Sequence, residues 1–394
     1  MDRTPRTKSG QASRRPHLQI AVLGDSIAGL TFGALLQERG FDPVITTNPN
    51  QQLPSQISTI WNAGQRILGT LGIDDTVNSA GRTLERLWVH SSGTAEGFHE
   101  VLSPTIEYPH PVVRSTATLK ESLRNRLDDQ PIDASVSDLY PKTDSVTVEF
   151  EHGVREEFDL VVDARHPEHG EQTSASRDFQ EGTALLQHEI SVPAHSGLQS
   201  TAVEGWFDGV LMQRLPSPPT ADHAFLRTTA RTEHDLSALF EQFRESLLEA
   251  GIDLGPVEFQ ASDAIGEKQS LLVSQPPRDS LHTDRRVLLG PSARHLPPAS
   301  GSAVSLGLED AWVLADEIAT GPDDPQTIGK QYERRRQKRN RAIQQRAESA
   351  RRTHSYPIPA DEPERTIGHF RSAALGSFCS DALAELQQRY LIDG

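Results

Sequence analysis

Lysine is scarce in this chain. Only Lys8, Lys120, Lys142, Lys268, Lys330 and Lys338 occur, and arginine supplies the rest of the 39 basic residues. Against them stand 55 acidic residues, for a formal net charge of −16. Such a balance argues against general nucleic-acid binding, because phosphate is repelled. It is also the composition of a chain adapted to high salt. Cysteine is nearly absent. Cys379 stands alone, which excludes an intrachain disulfide and suits a reducing compartment. Long apolar runs are missing too, and none approaches the ~18 residues of a membrane helix.

The first 17 residues, "MDRTPRTKSGQASRRPH", are polar and basic and are expected to be disordered. "SRRPHLQ" superficially resembles a twin-arginine export signal. The apolar region behind it contains Asp25 and no small-residue cleavage site follows, so the expected location is the cytoplasm.

What is present begins at "LQIAVLG" (18–24), an apolar run of strand length. The turn "GDSIAG" follows, then Ile27, Leu30, Ala34 and Leu35 at helical spacing, with Gly40 as the stop. "PVITT" (43–47) reads as a second strand. Strand, glycine turn, helix and strand within about 30 residues make a βαβ start. A helix is expected in "QISTIWNAGQRILGTLGIDD", ending near Gly72, and another in "TATLKESLRNRLDD". Residues 145–151 and 155–163 read as a hairpin. Residues 175–280 alternate β-like stretches with one helix, "DLSALFEQFRESLLEAG". "RRVLLG" (285–290) is a strand returning to the first sheet. It is followed by the helix "SLGLEDAWVLADEIAT" and by a long basic helix, "QYERRRQKRNRAIQQRAESARR". Strands near 18–24, 43–47, 158–163 and 285–290 are expected to form one parallel sheet, since short apolar runs suit strands buried on both faces.

This order of segments resembles the FAD-dependent aromatic-hydroxylase-like monooxygenases. Four stretches carry the likeness: "IAVLGDSIAGLTFGALLQERG", "WNAGQRILGTLGIDDTV", "FDLVVDARH" and "RRVLLGPSARHLPPASGSAVSLGLEDAWVLADEI". The resemblance implies an α/β fold: a Rossmann-like FAD-binding domain, an inserted mainly β substrate domain and a C-terminal helical segment. Its expected boundaries are a disordered terminus at 1–17, a dinucleotide-binding part at 18–170, the inserted domain at 171–282, a return segment at 283–325 and C-terminal helices at 326–394. The implied chemistry is flavin reduction by NADH or NADPH, followed by dioxygen-dependent hydroxylation of a small organic substrate. The resemblance identifies neither catalytic residues nor the substrate.

The implied cofactor positions depart from the family pattern. Gly24 and Gly29 keep the turn that lets backbone N–H groups approach a pyrophosphate, with Ser26 as the middle residue. Asp25 puts a carboxylate beside that diphosphate. Thr47 stands where an acid would hold the adenosine ribose. Arg165 and His166 replace an Asp-Gly pair, and Pro291 follows Gly290 in place of an aspartate. After Pro297 and Pro298, the loop Gly301-Ser302-Ala303 keeps one glycine of two. Thr116 occupies a flavin-supporting arginine position, with Arg114 two residues earlier. Each lost carboxylate removes a charge-assisted hydrogen bond of roughly 1.5–3 kcal/mol, so FAD is expected to bind weakly. Arg165 is the residue expected to neutralise a phosphate or Asp25.

Other readings compete. "LGDSI" also fits a GDSL-type esterase using Ser26, Asp163 and His166, though the Gly-x-Asn-Asp block of that family is absent. A flavin-free relative could keep the fold as a binding or regulatory protein. "HPEH" (166–169) has a two-histidine spacing without evident further ligands, so no metal is expected. The basic helix, with Arg334, Arg335, Arg336, Lys338, Arg339 and Arg341, is expected to pair with the chain's own carboxylates. Trp206 and Phe207 suit either a sheet core or a substrate cavity.

Overall fold

The computed structural model describes residues 18–47, 57–73, 81–91, 98–101, 111–166, 184–193, 196–207, 210–216, 223–230, 236–249, 268–273, 278–294, 296 and 301–354. The expected disordered terminus (1–17), His169, Pro297, Pro298 and Cys379 lie outside them. So does the chain beyond residue 354.

The central sheet is built as its apolar runs require. Strands β1 (Ile20–Leu23) and β12 (Leu160–Asp163) are buried at every residue. They pair in parallel, and β2 (Val44–Thr47) and β19 (Arg286–Leu288) extend the sheet in parallel on either side. Short strands β8 (Ile132–Asp133) and β18 (His282–Thr283) close its two edges, giving the order β18-β19-β12-β1-β2-β8. The four expected strands thus share one sheet. Helix α1 (Ile27–Glu38) connects β1 to β2, so the order reverses beside β1. Strand ends at such a reversal leave a crevice for ligands.

The expected hairpin is split. Strand β10 (Val146–Phe150) pairs with β11 (Arg155–Phe158) and with β9 (Val136–Pro141), but the second run breaks at Asp159 and continues as β12 in the parallel sheet. The expected helix from residue 56 is also half strand. Ile57–Ile60 forms β3, antiparallel to β7 (Val112–Ser115), which also pairs with β4 (Arg82–Thr83); only Asn62–Thr70 is helical (α2). Branched Ile57, Thr59 and Ile60 favour the extended form. Helix α3 (Thr116–Arg124) follows β7 directly, capped by Ser115.

The second sheet has seven strands in the order β17-β13-β16-β15-β14-β5-β6. Its middle comes from Ala184–Pro193 (β13), Thr201–Phe207 (β14), Val210–Leu215 (β15), His223–Ala230 (β16) and Lys268–Val273 (β17). Two strands come from before residue 170, against the boundary read from sequence: Arg86–Ser91 (β5) and Phe98–Val101 (β6). β5 pairs in parallel with β14, so the chain enters this sheet twice. Helix α4 (Leu236–Glu249) packs Phe240, Phe243 and Leu247 against one face, on Val203, Val210, Met212 and Leu226.

Helices α5 (Ala303–Thr320) and α6 (Pro325–His354) complete the structure. The basic face of α6 pairs internally, as its composition in an acidic chain implies. Arg335 meets Asp316 and Glu317, and Arg336 and Arg339 meet Glu309. Arg334, Lys338 and Arg341 remain exposed on the opposite face.

Helix α5 crosses α1 at glycines. Gly290 holds φ +56°, and a β-carbon there would lie 2.6 Å from the Ala28 β-carbon. Gly290→Ala is expected to lower stability by about 2–4 kcal/mol, combining left-handed strain with overpacking. Urea unfolding at neutral pH measures it.

Candidate active site

Strands β1, β2, β12 and β19 all end at one edge of the parallel sheet, and the candidate site is assembled there. After β1, Gly24 turns with φ +94° and its N–H donates to the Thr46 carbonyl at 3.1 Å. Ser26 is the N-cap of α1, and its hydroxyl accepts from the Gly29 N–H at 3.2 Å. A β-carbon on Gly29 would come within 2.4 Å of the Gly24 carbonyl oxygen. Only glycine lets the helix start this close to the strand end.

Asp25 is 2% exposed. Its partners are Lys120, at 3.0 Å, and Arg124, both from α3. Burial pushes its carboxyl up, and the two cations more than reverse that, leaving it below its ordinary value. Arg165 pairs with the carboxylate that ends β12. It grips this residue, Asp163, through Nε at 3.1 Å and Nη2 at 2.8 Å. The sequence reading named Arg165 for a phosphate or Asp25; the cations that pair with Asp25 include two from successive turns of α3.

Asp163 is also bound by Arg286 Nη2 at 2.5 Å and by the Ser292 hydroxyl at 2.9 Å. Burial alone raises this carboxyl, and the Arg165 and Arg286 guanidiniums overcome it, holding the group at about 2. The esterase constellation is therefore not assembled. The Asp163 oxygens are engaged by arginines and a serine, and the Ser26 hydroxyl caps a helix, so neither serves a nucleophile relay. His166 follows β12 half-buried.

The other positions read from sequence are spread around the same edge. Thr47 ends β2, half-buried, with its carbonyl accepting from the Ala134 N–H at 3.2 Å. Arg114 lies on β7, wholly buried, and donates to the Ser122 hydroxyl at 3.0 Å. Thr116, in the arginine position, shares a 2.7 Å hydrogen bond with Ser58. Pro291 is half-buried after Gly290. Gly301 holds φ +62°, and its carbonyl accepts from the Trp61 indole N–H at 2.8 Å. Ser302 is the N-cap of α5 and Ala303 its exposed first residue. Pro298 lies outside the described residues. Among the described residues, no group of three His, Cys, Asp or Glu side chains forms a metal site.

Sequence reading missed several residues that shape this edge. Lys120 and Arg124 were legible only as an i, i+4 basic pair on an amphipathic helix. Trp61 and Ser305 tie α2 to α5, the Ser305 hydroxyl accepting from the Trp61 N–H at 2.8 Å. Behind the loop, Arg294 pairs with Asp310, and Arg336 bridges Asp310 at 2.6 Å and Glu309 at 2.8 Å.

No family model matches the chain. Among curated proteins it is 26% identical over 365 residues to a 3-amino-4-hydroxybenzoate 2-monooxygenase of Streptomyces cremeus, covering 89% of this chain and 90% of that protein. A second such enzyme, from Streptomyces platensis, is 25% identical over 377 residues, at 90% and 92% coverage. Among solved structures, Klebsiella pneumoniae HpxO, complexed with FAD and uric acid, superposes with a TM-score of 0.68 at 18% identity, covering 93% of this chain and 95% of that one. The chain is thus similar to monooxygenases over about nine-tenths of its length and has the fold of an FAD-binding protein. Pseudomonas aeruginosa PqsL, described as a probable FAD-dependent monooxygenase, has the same fold, with a TM-score of 0.69 at 16% identity, covering 90% of this chain and 100% of that one.

In this chain the backbone fits FAD better than the side chains do. Gly24 and Gly301 both hold positive φ, and Gly29 lets α1 start against the strand end. The first-turn N–H groups of Ile27 and Ala28 have no acceptor within α1, which suits a phosphate oxygen. At the positions of the lost acids, Thr47, Arg165 and Pro291 offer no carboxylate.

Asp163 gives this edge a pH signature. Its folded pKa lies below the unfolded value, so its stabilisation is complete above about pH 4 and disappears as pH falls toward 2. The loss is about 2 kcal/mol. Urea midpoints between pH 5 and 2 should fall in the wild type, and Asp163→Asn should remove that part of the fall.

Proposed function

We propose that the protein is an FAD-dependent monooxygenase that hydroxylates a small aromatic acid, with NADH or NADPH as reductant. The observation that carries this reading is the glycine-built edge of the parallel sheet set beside a seven-stranded sheet with a polar row. The named relatives support a flavoenzyme over a flavin-free binding protein or an esterase.

FAD would be held by the backbone at Gly24, Ser26 and Gly29, and at Gly290 and Gly301. The chemistry supplied with FAD bound is hydride acceptance from the nicotinamide cofactor and activation of dioxygen. The start of α5, at Ser302 and Ala303, contributes the positive end of its dipole, which favours negative charge nearby.

The seven-stranded sheet supplies the substrate reading. Glu204, Gln213 and Arg227 are direct cross-strand neighbours on β14, β15 and β16. Gln213 donates to Glu204 at 2.6 Å and accepts from Arg227 at 3.5 Å. All three are buried. Their chain neighbours Val203, Met212 and Leu226 pack on α4, so alternation puts the polar row on the opposite face. Guanidinium at one end and carboxylate at the other match an aromatic ring bearing a carboxylate and an amino or hydroxyl group. This is the chemistry named for the Streptomyces relatives.

Two outcomes are expected. Added FAD raises the melting temperature in a concentration-dependent way and confers oxygen-dependent NADH or NADPH oxidation stimulated by aminohydroxybenzoates. Arg227→Met raises KM for the carboxylated substrate by about 10- to 100-fold, the value of one charge-assisted hydrogen bond, with little change for the matching aminophenol. An unstimulated oxidase, or an equal loss on both substrates, counts against the substrate assignment.

A further inference from the structure

We propose that a groove at the opposite edge of the parallel sheet, where the strands begin, is the docking site of the basic segment just ahead of β1, Arg14 to His17. The proposal is independent of the cofactor reading. It narrows the expected disorder of residues 1–17 to the residues before this segment.

The groove has a volume of about 320 Å³ and lies where β1 and β12 start and where α5 leads into α6. Its floor is apolar. Leu18 belongs to it, as do Ile318 and Ile328, which are part of the main core. Its rim is acidic. Asp144 comes from the turn between β9 and β10, Asp159 from the residue before β12, and Asp323 and Asp324 from the link between the two helices. The cation on this rim is Arg285, and its guanidinium is turned to backbone, donating to the Thr143 carbonyl at 3.2 Å and the Asp159 carbonyl at 3.1 Å. An apolar floor under carboxylates suits side chains that carry a positive end on an alkyl stem.

The chain itself enters at this groove. Leu18 lines it, and the next residue is tied to the rim: the Gln19 N–H donates to Asp159 Oδ2 at 2.8 Å, and the Gln19 carbonyl accepts from the Asp159 N–H at 2.9 Å. Directly ahead stand Arg14, Arg15, Pro16 and His17. Pro16 disfavours the helical form for Arg15, so this stretch is extended, and three extended residues span about 10 Å. That length keeps both arginines within reach of a groove whose floor starts at Leu18. Arginine also suits the site chemically, since its stem lies along apolar surface and its planar fork matches a carboxylate. Residues 1–17 as a whole carry Arg3, Arg6, Lys8, Arg14 and Arg15 against Asp2, the sign opposite to the rim. The covalent link decides between occupants. A tethered segment meets the groove at high effective concentration, whereas a free organic cation or a second copy of the chain must supply its own affinity. Docked, the segment clasps the start of β1 to the link between α5 and α6.

The test is a distance measurement on the full-length protein. Cys379 is the sole cysteine, so Cys379→Ser gives a clean background for two nitroxide labels, at Ala12→Cys ahead of the segment and at Thr143→Cys beside the rim. Pulsed electron resonance should give one narrow distance distribution at low ionic strength, which broadens at high salt as the charges are screened. Diluting the labelled protein with excess unlabelled protein should leave the narrow distribution in place. Arg14→Ser with Arg15→Ser should broaden it even at low salt, and so should Asp144→Asn with Asp323→Asn. Both pairs lie outside the buried core, and circular dichroism checks that each variant is folded. A broad distribution in the starting protein at low salt overturns the proposal. So does a narrow one that survives either pair of substitutions, because the charges then play no part. A distribution that vanishes on dilution also overturns it, since the groove then takes the segment of a second copy.

Discussion

Helix α1 starts against the parallel sheet with no room for a β-carbon. At Gly29 that atom would sit 2.4 Å from the Gly24 carbonyl oxygen and 3.0 Å from the Ala164 β-carbon. At Gly290 it would meet Ala28, and at Gly307 the same Ala28 at 3.2 Å. Three segments far apart in the chain therefore meet at the first two turns of α1: the β1 turn, the end of β12 and the β19–α5 connection. These close backbone approaches set the geometry of the sheet edge where the strands end. A larger residue at any of these places would push α1 or α5 outward and open the edge of the sheet.

Close backbones leave little space for side chains, so charge is handled around the rim. Asp25 and Asp163 are buried carboxylates, each at the end of a strand or two residues beyond it. Both are held ionised against burial by cations reaching in from neighbouring elements. Behind the loop, Arg336 is buried between Glu309 and Asp310. Buried ion pairs add little net stability compared with apolar packing, but breaking one strands a charge. Their consequence here is geometric. They fix α3 to the β1 turn, β19 to β12, and α6 to α5.

The sequence carried the parallel sheet plainly. The runs at 18–24, 43–47, 158–163 and 285–290 are short and apolar, and burial on both faces demands that composition. The long helices were equally legible from their periodicity. Strand β3 was not, because "QISTIW" runs directly into a helical pattern, and only its antiparallel partner β7, distant in sequence, settles its form. Strands β5 and β6 were not read as strands, and their residues were counted with the dinucleotide-binding part, for a similar reason: β5 pairs with β14, more than a hundred residues away. Among site residues, the glycines were legible because each answers a local backbone demand. The partners of Asp25 were hidden, since no local pattern says which face of α3 turns toward β1.

This division explains how a chain can depart from the acidic positions of the FAD-monooxygenase pattern and keep the fold of such proteins. Glycines act through the backbone, and the close approach fails if they change; Gly24, Gly29, Gly290 and Gly301 remain. A charged grip acts through a long side chain that can be supplied from more than one element, provided its end reaches the same place. Thr47, Thr116, Arg165 and Pro291 mark positions where such groups are gone. The arginines and the lysine that crowd Asp25, Asp163 and Asp310 mark where charge has accumulated instead. Retained glycines and relocated cations are what a fold under steady geometric constraint, but looser electrostatic constraint, would preserve.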